Sequence, residues 1–398
     1  MPIGRELAST LIAAHGSPLY AYEAAVLVER ARRLRACFPA ENVRWFYATK
    51  ANANLEILRR VRAEGFGVDA VSIGEVRAAI KAGFASNEIT FNGNNVTSAE
   101  LREVASLGVH LSVDGIPQLR RVAELGIANS VGLRLNPDIG AGHHHHVITG
   151  GPDAKFGAAP EEIDEALAIA AAAHMTLDGL QQHIGSGILE TAPWIAAVDV
   201  MLKHAARLKD LRFVDFGGGF GVPYRPMESP FDFAAFREAI APRLQAFRAR
   251  MQRPIEFRFE PGRFLVAEAG TLLVTVTSVK RTTRHTFVGV DSGMNHLIRP
   301  ALYDAWHEIV NLTRPNAPAS CVRVAGQICE SGDLLAVDRE LPTPEEGDIL
   351  AIRNAGAYGY SMASTYNLRP RPAEVMIESD GFARCIRPRD RLEDLLGP

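Results

Sequence analysis

The sequence has only four cysteines in 398 residues, Cys37, Cys321, Cys329 and Cys385. Their positions show neither the close pairing of a zinc site nor a disulfide framework, which points to a reducing, cytoplasmic setting. An excess of one charge is also missing: 43 Lys and Arg against 46 Asp and Glu leave a net charge of −3. That balance argues against a nucleic-acid surface, which needs clustered basic residues in excess. No apolar run approaches the roughly 20 residues that span a bilayer. The segment MPIGRELASTLIAAHGS is too short in apolar residues for a secretory leader and carries no cleavage signature. Internal repeats and low-complexity tracts are absent too. What remains is the composition of an ordinary globular protein, 47% hydrophobic and 22% charged. Its length exceeds the size at which one core stops growing, so two domains are expected.

From about residue 40 to residue 260, short β-rich runs alternate with amphipathic segments. The strand-like runs are Val43–Thr49, Gly67–Ser72, Ile89–Asn92, Val109–Val113, Val131–Asn136, Gly179–Ile184, Phe213–Phe216 and Ile255–Phe259. Between them, Asn54–Ala63, Ile73–Ala82, Pro160–Ala173 and Trp194–Leu208 repeat apolar residues at helical spacing. This alternation predicts βα units and an α/β fold with a parallel sheet, and the strand number fits a closed (β/α)8 barrel. Periodicity alone also allows an open doubly wound sheet. After Gly270 the long helical patterns stop. Thr271–Val279, Thr286–Val290, Cys321–Ala325, Ile349–Arg353 and Glu374–Ile377 read as strands of a second, mostly β domain, and Ser17–Tyr22 reads as a strand able to join its sheet. The expected division is residues 25–268 for the barrel and residues 1–24 with 269–398 for the β domain.

In a (β/α)8 barrel, chemistry sits at the C-terminal ends of the strands, and polar and glycine-rich residues gather there. Lys50 follows the first strand, Asp69 lies in the second and His183 closes the sixth. Gly217, Gly218 and Gly219 follow the seventh, and Glu260, Gly262 and Arg263 follow the eighth. A lysine flanked by apolar residues is expected to be partly desolvated, which favours the neutral amine that forms an imine with an aldehyde cofactor. The clusters Gly217–Gly219 and Gly185–Ser186–Gly187 let backbone N–H groups approach a phosphate. Glu260 suits the nitrogen of a pyridine ring, and His183 offers a flat side chain to its face. Singly these are weak signals: a lysine after a strand is ordinarily a solvated loop residue, and a glycine run is ordinarily a turn. Their shared end of the barrel carries the argument. The run His143–His146 has no cysteine or carboxylate neighbours to complete a site, so no metal is expected and a mobile loop is the reading.

The segments FYATKAN, VDAVSIGE, HIGSG, DFGGGFGVPY, EPGRFLVAEAG, ICESGD and GAYGYSMASTYNLRPRPAEV resemble, in order, those of the diaminopimelate decarboxylases. These are pyridoxal-phosphate-dependent enzymes of the alanine-racemase-like fold (fold type III), related to ornithine and arginine decarboxylases. The resemblance runs from SPLYAY near residue 17 to the strand near residue 377. It implies pyridoxal 5'-phosphate as cofactor and decarboxylation of meso-2,6-diaminoheptanedioate to L-lysine and CO2, the last step of lysine biosynthesis.

The resemblance also implies residue roles. Lys50 would bind the cofactor aldehyde, and Asp69, His183, Ser186, Gly219, Glu260, Gly262, Arg263 and Tyr358 would line the cofactor. Arg263, Arg299, Tyr303, Glu330 and Tyr358 would bind the substrate, and Cys329 would donate the proton that replaces CO2. The CESGD segment would enter the active site of a second subunit, so a homodimer with shared sites is implied. A glutamate in EPGR, where alanine racemases place an arginine, favours decarboxylation, and Arg299 suits a distal carboxylate. Two other readings stay open: a paralogue acting on a D-amino acid or carrier-bound substrate, and a non-catalytic homologue that binds a regulatory partner.

Overall fold

A helix, Arg5–His15, and strand β1 (Leu19–Glu23) open the chain in the computed structural model, which describes residues 3–40, 42–142, 149–151 and 154–397. The run His143–His146 lies outside the described residues. Eight strands follow: β2 (Val43–Ala48), β3 (Gly67–Ala70), β4 (Ile89–Phe91), β5 (His110–Val113), β6 (Ser130–Arg134), β7 (Thr176–Gln181), β8 (Phe213–Asp215) and β9 (Glu256–Phe259). Each pairs in parallel with the next, and β9 returns to β2 through Val43 opposite Phe257 and Trp45 opposite Phe259. The sheet is therefore a closed barrel, and the open doubly wound alternative falls.

Local chemistry starts the helices between these strands. Asn54 accepts the Glu56 N–H at the start of Leu55–Ala63, and Ser72 accepts the Glu75 N–H at the start of Ile73–Ala82. Thr97 and Asp232 cap Ser98–Ser106 and Phe233–Met251 in the same way. Such caps satisfy backbone donors that have no partner within the helix.

The chain divides into two compact units, Val28–Val222 with Ser229–Leu265, and Met1–Leu27 with Pro223–Glu228 and Val266–Pro398. In the first unit, an aromatic layer lies between barrel and helices. Trp194 stacks on Phe220 with ring centres 4.3 Å apart, and Phe236 and Phe259 complete the cluster. Trp45 of β2 stacks on Phe259 of β9 at 5.2 Å, across the seam where the barrel closes.

The second unit contains β10 (Gly270–Arg281), β11 (Thr286–Val290), β12 (Ile309–Asn311), β13 (Ala319–Ala325), β14 (Leu334–Pro342), β15 (Ile349–Ile352), β16 (Ala373–Ile377) and β17 (Ala383–Arg387). With β1 they form a nine-stranded sheet whose main path is β14-β13-β11-β10-β1-β16-β17, while β15 pairs with β10 and β12. The SPLYAY run joins this sheet as expected, antiparallel to β10 and parallel to β16. Helix Arg5–His15 buries Ala8 and Leu11 in the same core as Leu19, Leu273 and Val375. Strands β12, β14 and β17 were not legible as strands. The first has three residues, and the other two lie at the ends of the sheet path, with polar faces that read as loop. Among the described residues, no helix is long and apolar enough to cross a membrane.

The fully buried indole of Trp194 makes no hydrogen bond through its N–H. Trp194→Ala is therefore expected to cost roughly 3–5 kcal/mol by urea denaturation. Trp194→Phe, which keeps a stacking ring and loses no hydrogen bond, should cost distinctly less. Equal losses for the two variants would show that the stacking is not what stabilises this layer.

Candidate active site

Lys50 sits in a short turn, Thr49–Ala51, immediately after β2. Its Nζ lies 2.6 Å from Oδ2 of Asp69, a fully buried residue of β3, while the lysine side chain itself is 30% exposed. The side chain is thus partly buried, and the carboxylate partner is a feature that the sequence reading did not foresee. Thr49 and Ala51 are buried, but the amine reaches past them to a carboxylate that fixes its direction. Asp69 is held in turn: Asn92 Nδ2 donates to its Oδ1 at 2.9 Å and to Glu260 Oε1 at 2.6 Å. Gln181 Nε2 donates to the other oxygen of Glu260 at 3.0 Å. A single amide thus couples the carboxylate that orients Lys50 to the one that closes β9.

Strand register explains why this network is buried. Arg134, Gln181, Asp215 and Arg258 are partners across β6, β7, β8 and β9 and so form one layer of the barrel. Glu260 is 3% exposed and Asp215 1% exposed. Burial pushes the Glu260 carboxyl well above the usual carboxylate range, and the nearby Asp215 and Asp69 push it further. Burial raises Asp215 to about 7 against the lowering effect of Arg258. Asp215 also hydrogen-bonds Glu260, and its Oδ1 accepts the Gly217 N–H at 2.9 Å, tying the carboxyl pair to the first glycine of the GGG run.

His183 lies beyond the end of β7 and does not close the strand as expected. Its Nδ1 faces the Gly218 carbonyl at 3.1 Å. A carbonyl only accepts, so Nδ1 carries the hydrogen. Burial first, then Lys50 and Arg134, hold this imidazole well below its usual pKa, so it is neutral at pH 7. Around it the glycines are required by space. A Cβ on Gly217, whose φ is +71°, would come within 2.0 Å of the Gln182 carbonyl oxygen, and one on Gly218 within 2.1 Å of the Glu260 carbonyl oxygen. Gly219 lies next in the same run, and Gly262 packs against Ala48 and Ala51. The Arg263 guanidinium donates to Ser186 Oγ at 3.2 and 2.9 Å, joining the loop after β7 to the turn after β9.

Other residues singled out in the sequence lie in the β-rich unit. Arg299 and Tyr303 begin and end one short helix, Arg299–Tyr303. Arg299 is 1% exposed, and its Nη1 lies 2.9 Å from Nε2 of His307. Cys329 is exposed and donates its backbone N–H to Asn367 Oδ1 at 3.1 Å, while Glu330 Oε1 accepts the Tyr366 hydroxyl at 2.6 Å. Tyr358 has φ +57°, a left-handed conformation that a bulky residue rarely adopts and that clusters at functional sites.

Pyridoxal phosphate makes three demands: an amine for its aldehyde, a carboxylate for its ring nitrogen and a cradle for its phosphate. The barrel mouth contains Lys50, Glu260 and the glycine loops beside Ser186 and Arg263, so the donor set fits the group. Sequence reasoning missed Asn92, Gln181, Asp215 and Arg134, which hold or border this set. The available signal was polar residues placed where a strand should point inward, as in FNG and LQQH.

The Asp215 shift has a measurable sign. A carboxyl whose folded value is raised stabilises the fold fully below its unfolded value of about 4, and that stabilisation is lost as pH rises through about 7. Asp215→Asn keeps an acceptor for the Gly217 N–H and removes the titration. In the cofactor-free protein it should gain stability relative to wild type as pH rises from 4 to 7, by on the order of 1–3 kcal/mol. Parallel curves of melting temperature against pH for the two proteins would contradict this.

Comparison with known proteins places the chain. The family described as "Pyridoxal-dependent decarboxylase, pyridoxal binding domain" matches residues 24–267. The diaminopimelate decarboxylase of Methanothermobacter thermautotrophicus is 42% identical, over 99% of this chain and 94% of that protein. That of Pseudomonas fluorescens is 38% identical, over 96% and 92%. A crystal structure of the Helicobacter pylori diaminopimelate decarboxylase complexed with L-lysine superposes with a TM-score of 0.90 at 36% identity, over 97% of this chain and 98% of that one. The chain belongs to the diaminopimelate decarboxylase family of pyridoxal-dependent decarboxylases.

Proposed function

We propose that this protein converts meso-2,6-diaminoheptanedioate to L-lysine and CO2 with pyridoxal 5'-phosphate, the last step of lysine biosynthesis, in the cytoplasm. The observation that carries this reading is the line Lys50–Asp69–Asn92–Glu260, which sets an amine and a buried carboxyl group at one barrel mouth. Relatives of the same name across nearly the whole chain favour this substrate over a paralogue's. Retention of Lys50 and Cys329 does not favour a non-catalytic homologue.

The cofactor supplies an electron sink for the pair left on carbon when the bond to CO2 breaks. Lys50 tethers it, with Asp69 setting the direction of Nζ. Glu260 holds a proton at the ring nitrogen, its two oxygens already oriented by Asn92 and Gln181. Neutral His183 covers the ring without adding a positive charge beside it. Gly217–Gly219, Gly262, Ser186, Arg263 and Tyr358 take the phosphate, and the glycines let backbone N–H groups approach where a side chain would collide. Arg299 takes the distal carboxylate, with Tyr303, Glu330, Arg263 and Tyr358 completing the substrate contacts. Anchoring that end decides which carboxylate stands at the reacting position. The Cys329 thiol delivers a proton from Sγ to the carbon that has lost CO2. In this reading the protein is a homodimer, and Cys329 and Glu330 serve the site of the second subunit.

Purified protein loaded with pyridoxal phosphate should release CO2 from meso-diaminopimelate and not from ornithine, arginine or D-lysine offered in parallel. Lys50→Ala should abolish both turnover and the yellow absorbance of bound cofactor; full activity in that variant would sink the assignment. Cys329→Ala should slow turnover by about 10²-fold or more while retaining the cofactor. Because each variant lacks a different half of a shared site, mixing the two should restore about a quarter of wild-type activity in a two-fold dimer. No recovery after subunit exchange would mean that each site is built within one subunit.

A further inference from the structure

The Arg299 guanidinium is held by a histidine whose protonation state the geometry defines. His307 Nδ1 lies 2.8 Å from the Arg353 carbonyl oxygen, and its Nε2 lies 2.9 Å from Arg299 Nη1. A carbonyl accepts and a guanidinium only donates. Nδ1 must therefore carry the hydrogen, and Nε2 must offer its lone pair. A doubly protonated ring would set one N–H against another, so this contact exists only with neutral imidazole.

The ring itself is clamped. His307 immediately precedes Glu308 and β12, whose Ile309 pairs with Ile352 of β15, and Arg353 follows that strand directly. Arg339 of β14 donates from Nη1 to the His307 backbone carbonyl at 2.7 Å, and packs over the Trp306 ring with its guanidinium carbon 4.1 Å from the ring centre. Tyr224 meets the imidazole edge-on at 5.3 Å and presents its own face to the Arg299 guanidinium at 4.6 Å. Tyr224 is fixed by its neighbours: its backbone N–H donates to Glu228 Oε2 at 2.7 Å, and Asn354 Nδ2 donates to the adjacent Pro223 carbonyl at 3.0 Å. With a nitrogen engaged at one edge and an aromatic ring on one face, the plane of a long, rotamer-rich side chain has one orientation. A planar fork recognises a carboxylate only when its plane is set, and pre-setting it removes the entropy that binding would otherwise cost.

We propose that His307, with Tyr224 against its ring and the Arg299 face, is a positioning residue for specificity, aiming the Arg299 guanidinium at the distal carboxylate of the substrate. This rests on the substrate assigned under Proposed function. His307 touches no reacting atom, so its loss should weaken recognition of the distal end and leave the chemical step intact.

Two substitutions separate the two ring nitrogens. His307→Asn keeps a donor near the Nδ1 position for the Arg353 carbonyl and loses the acceptor for Arg299. His307→Gln places an acceptor near the Nε2 position and keeps the Arg299 contact. In holoenzyme kinetics with meso-diaminopimelate, H307N should raise KM about tenfold with kcat within about twofold, and H307Q should keep KM within about threefold. In an R299Q background, H307N should add no further increase in KM, because the residue acts through Arg299. An unchanged KM in H307N, a fall in kcat without a rise in KM, equal losses in H307N and H307Q, or full additivity with R299Q would overturn the role of His307 while leaving the substrate assignment standing. A wild-type holoenzyme that releases no CO2 from meso-diaminopimelate would overturn both.

Discussion

The buried carboxyl groups inside the barrel are the constraint on which the rest of this site depends. Asp69, Asp215 and Glu260 are all nearly inaccessible to solvent, and an unpaired carboxylate in such a place costs several kcal/mol. The barrel tolerates them because each has specified partners: Lys50 and Asn92 for Asp69, Asn92 and Gln181 for Glu260, and the Gly217 N–H for Asp215. Arg258, stacked 3.7 Å over the Phe213 ring, and Arg134, over Phe156 at 4.5 Å, offset the accumulated negative charge. A lumen arranged this way is costly as a core and well suited as a support for a protonated ring nitrogen. The raised affinity of Glu260 for a proton and its two amide donors come from the same burial.

That support works only if the strand ends stay in register. The aromatic layer of Trp45, Trp194, Phe220, Phe236 and Phe259 lies on the outer side of the strands that carry the carboxyl groups. Alternation along β9 accounts for both roles at once. Phe257 and Phe259 are buried in the hydrophobic core, while Glu256 and Arg258 belong to the polar set. Packing outside and hydrogen bonding inside are thus the two faces of the same short strands.

The β-rich unit solves a related problem with neutral groups. Arg299 is as buried as the carboxyl groups of the barrel, and His307 and Tyr224 define its orientation through a lone pair and an aromatic face. Glu374, fully buried on β16, is held differently: it accepts the Tyr22 hydroxyl from β1 at 2.7 Å and pairs with the Arg387 guanidinium of β17 at 2.5 Å, so there a neutral donor and a cation act together. The left-handed Tyr358 adds a strained backbone position to the same unit.

The order and type of the barrel strands were legible in the sequence because eight β-rich runs alternate with helical periodicity, whereas the helices Ser98–Ser106 and Phe233–Met251 and the capping roles of Asn54, Ser72, Thr97 and Asp232 emerged only in the structure. Lys50, Glu260 and the glycine run were legible because each follows a strand, and in a parallel barrel all strand ends share one face. Edge strands such as β14 and β17 were not, since burial does not alternate residue by residue along either and the period-two pattern that marks a half-buried strand is missing. Barrel closure, the Lys50–Asp69 pair, the amide bridge through Asn92 and the His307 clamp on Arg299 belong to the tertiary structure alone. They join residues far apart in the chain, Asn92 with Glu260 across 168 positions and Val43 with Phe257 across still more, and which polar side chains meet inside the barrel depends on register and closure, quantities that no local stretch of sequence contains.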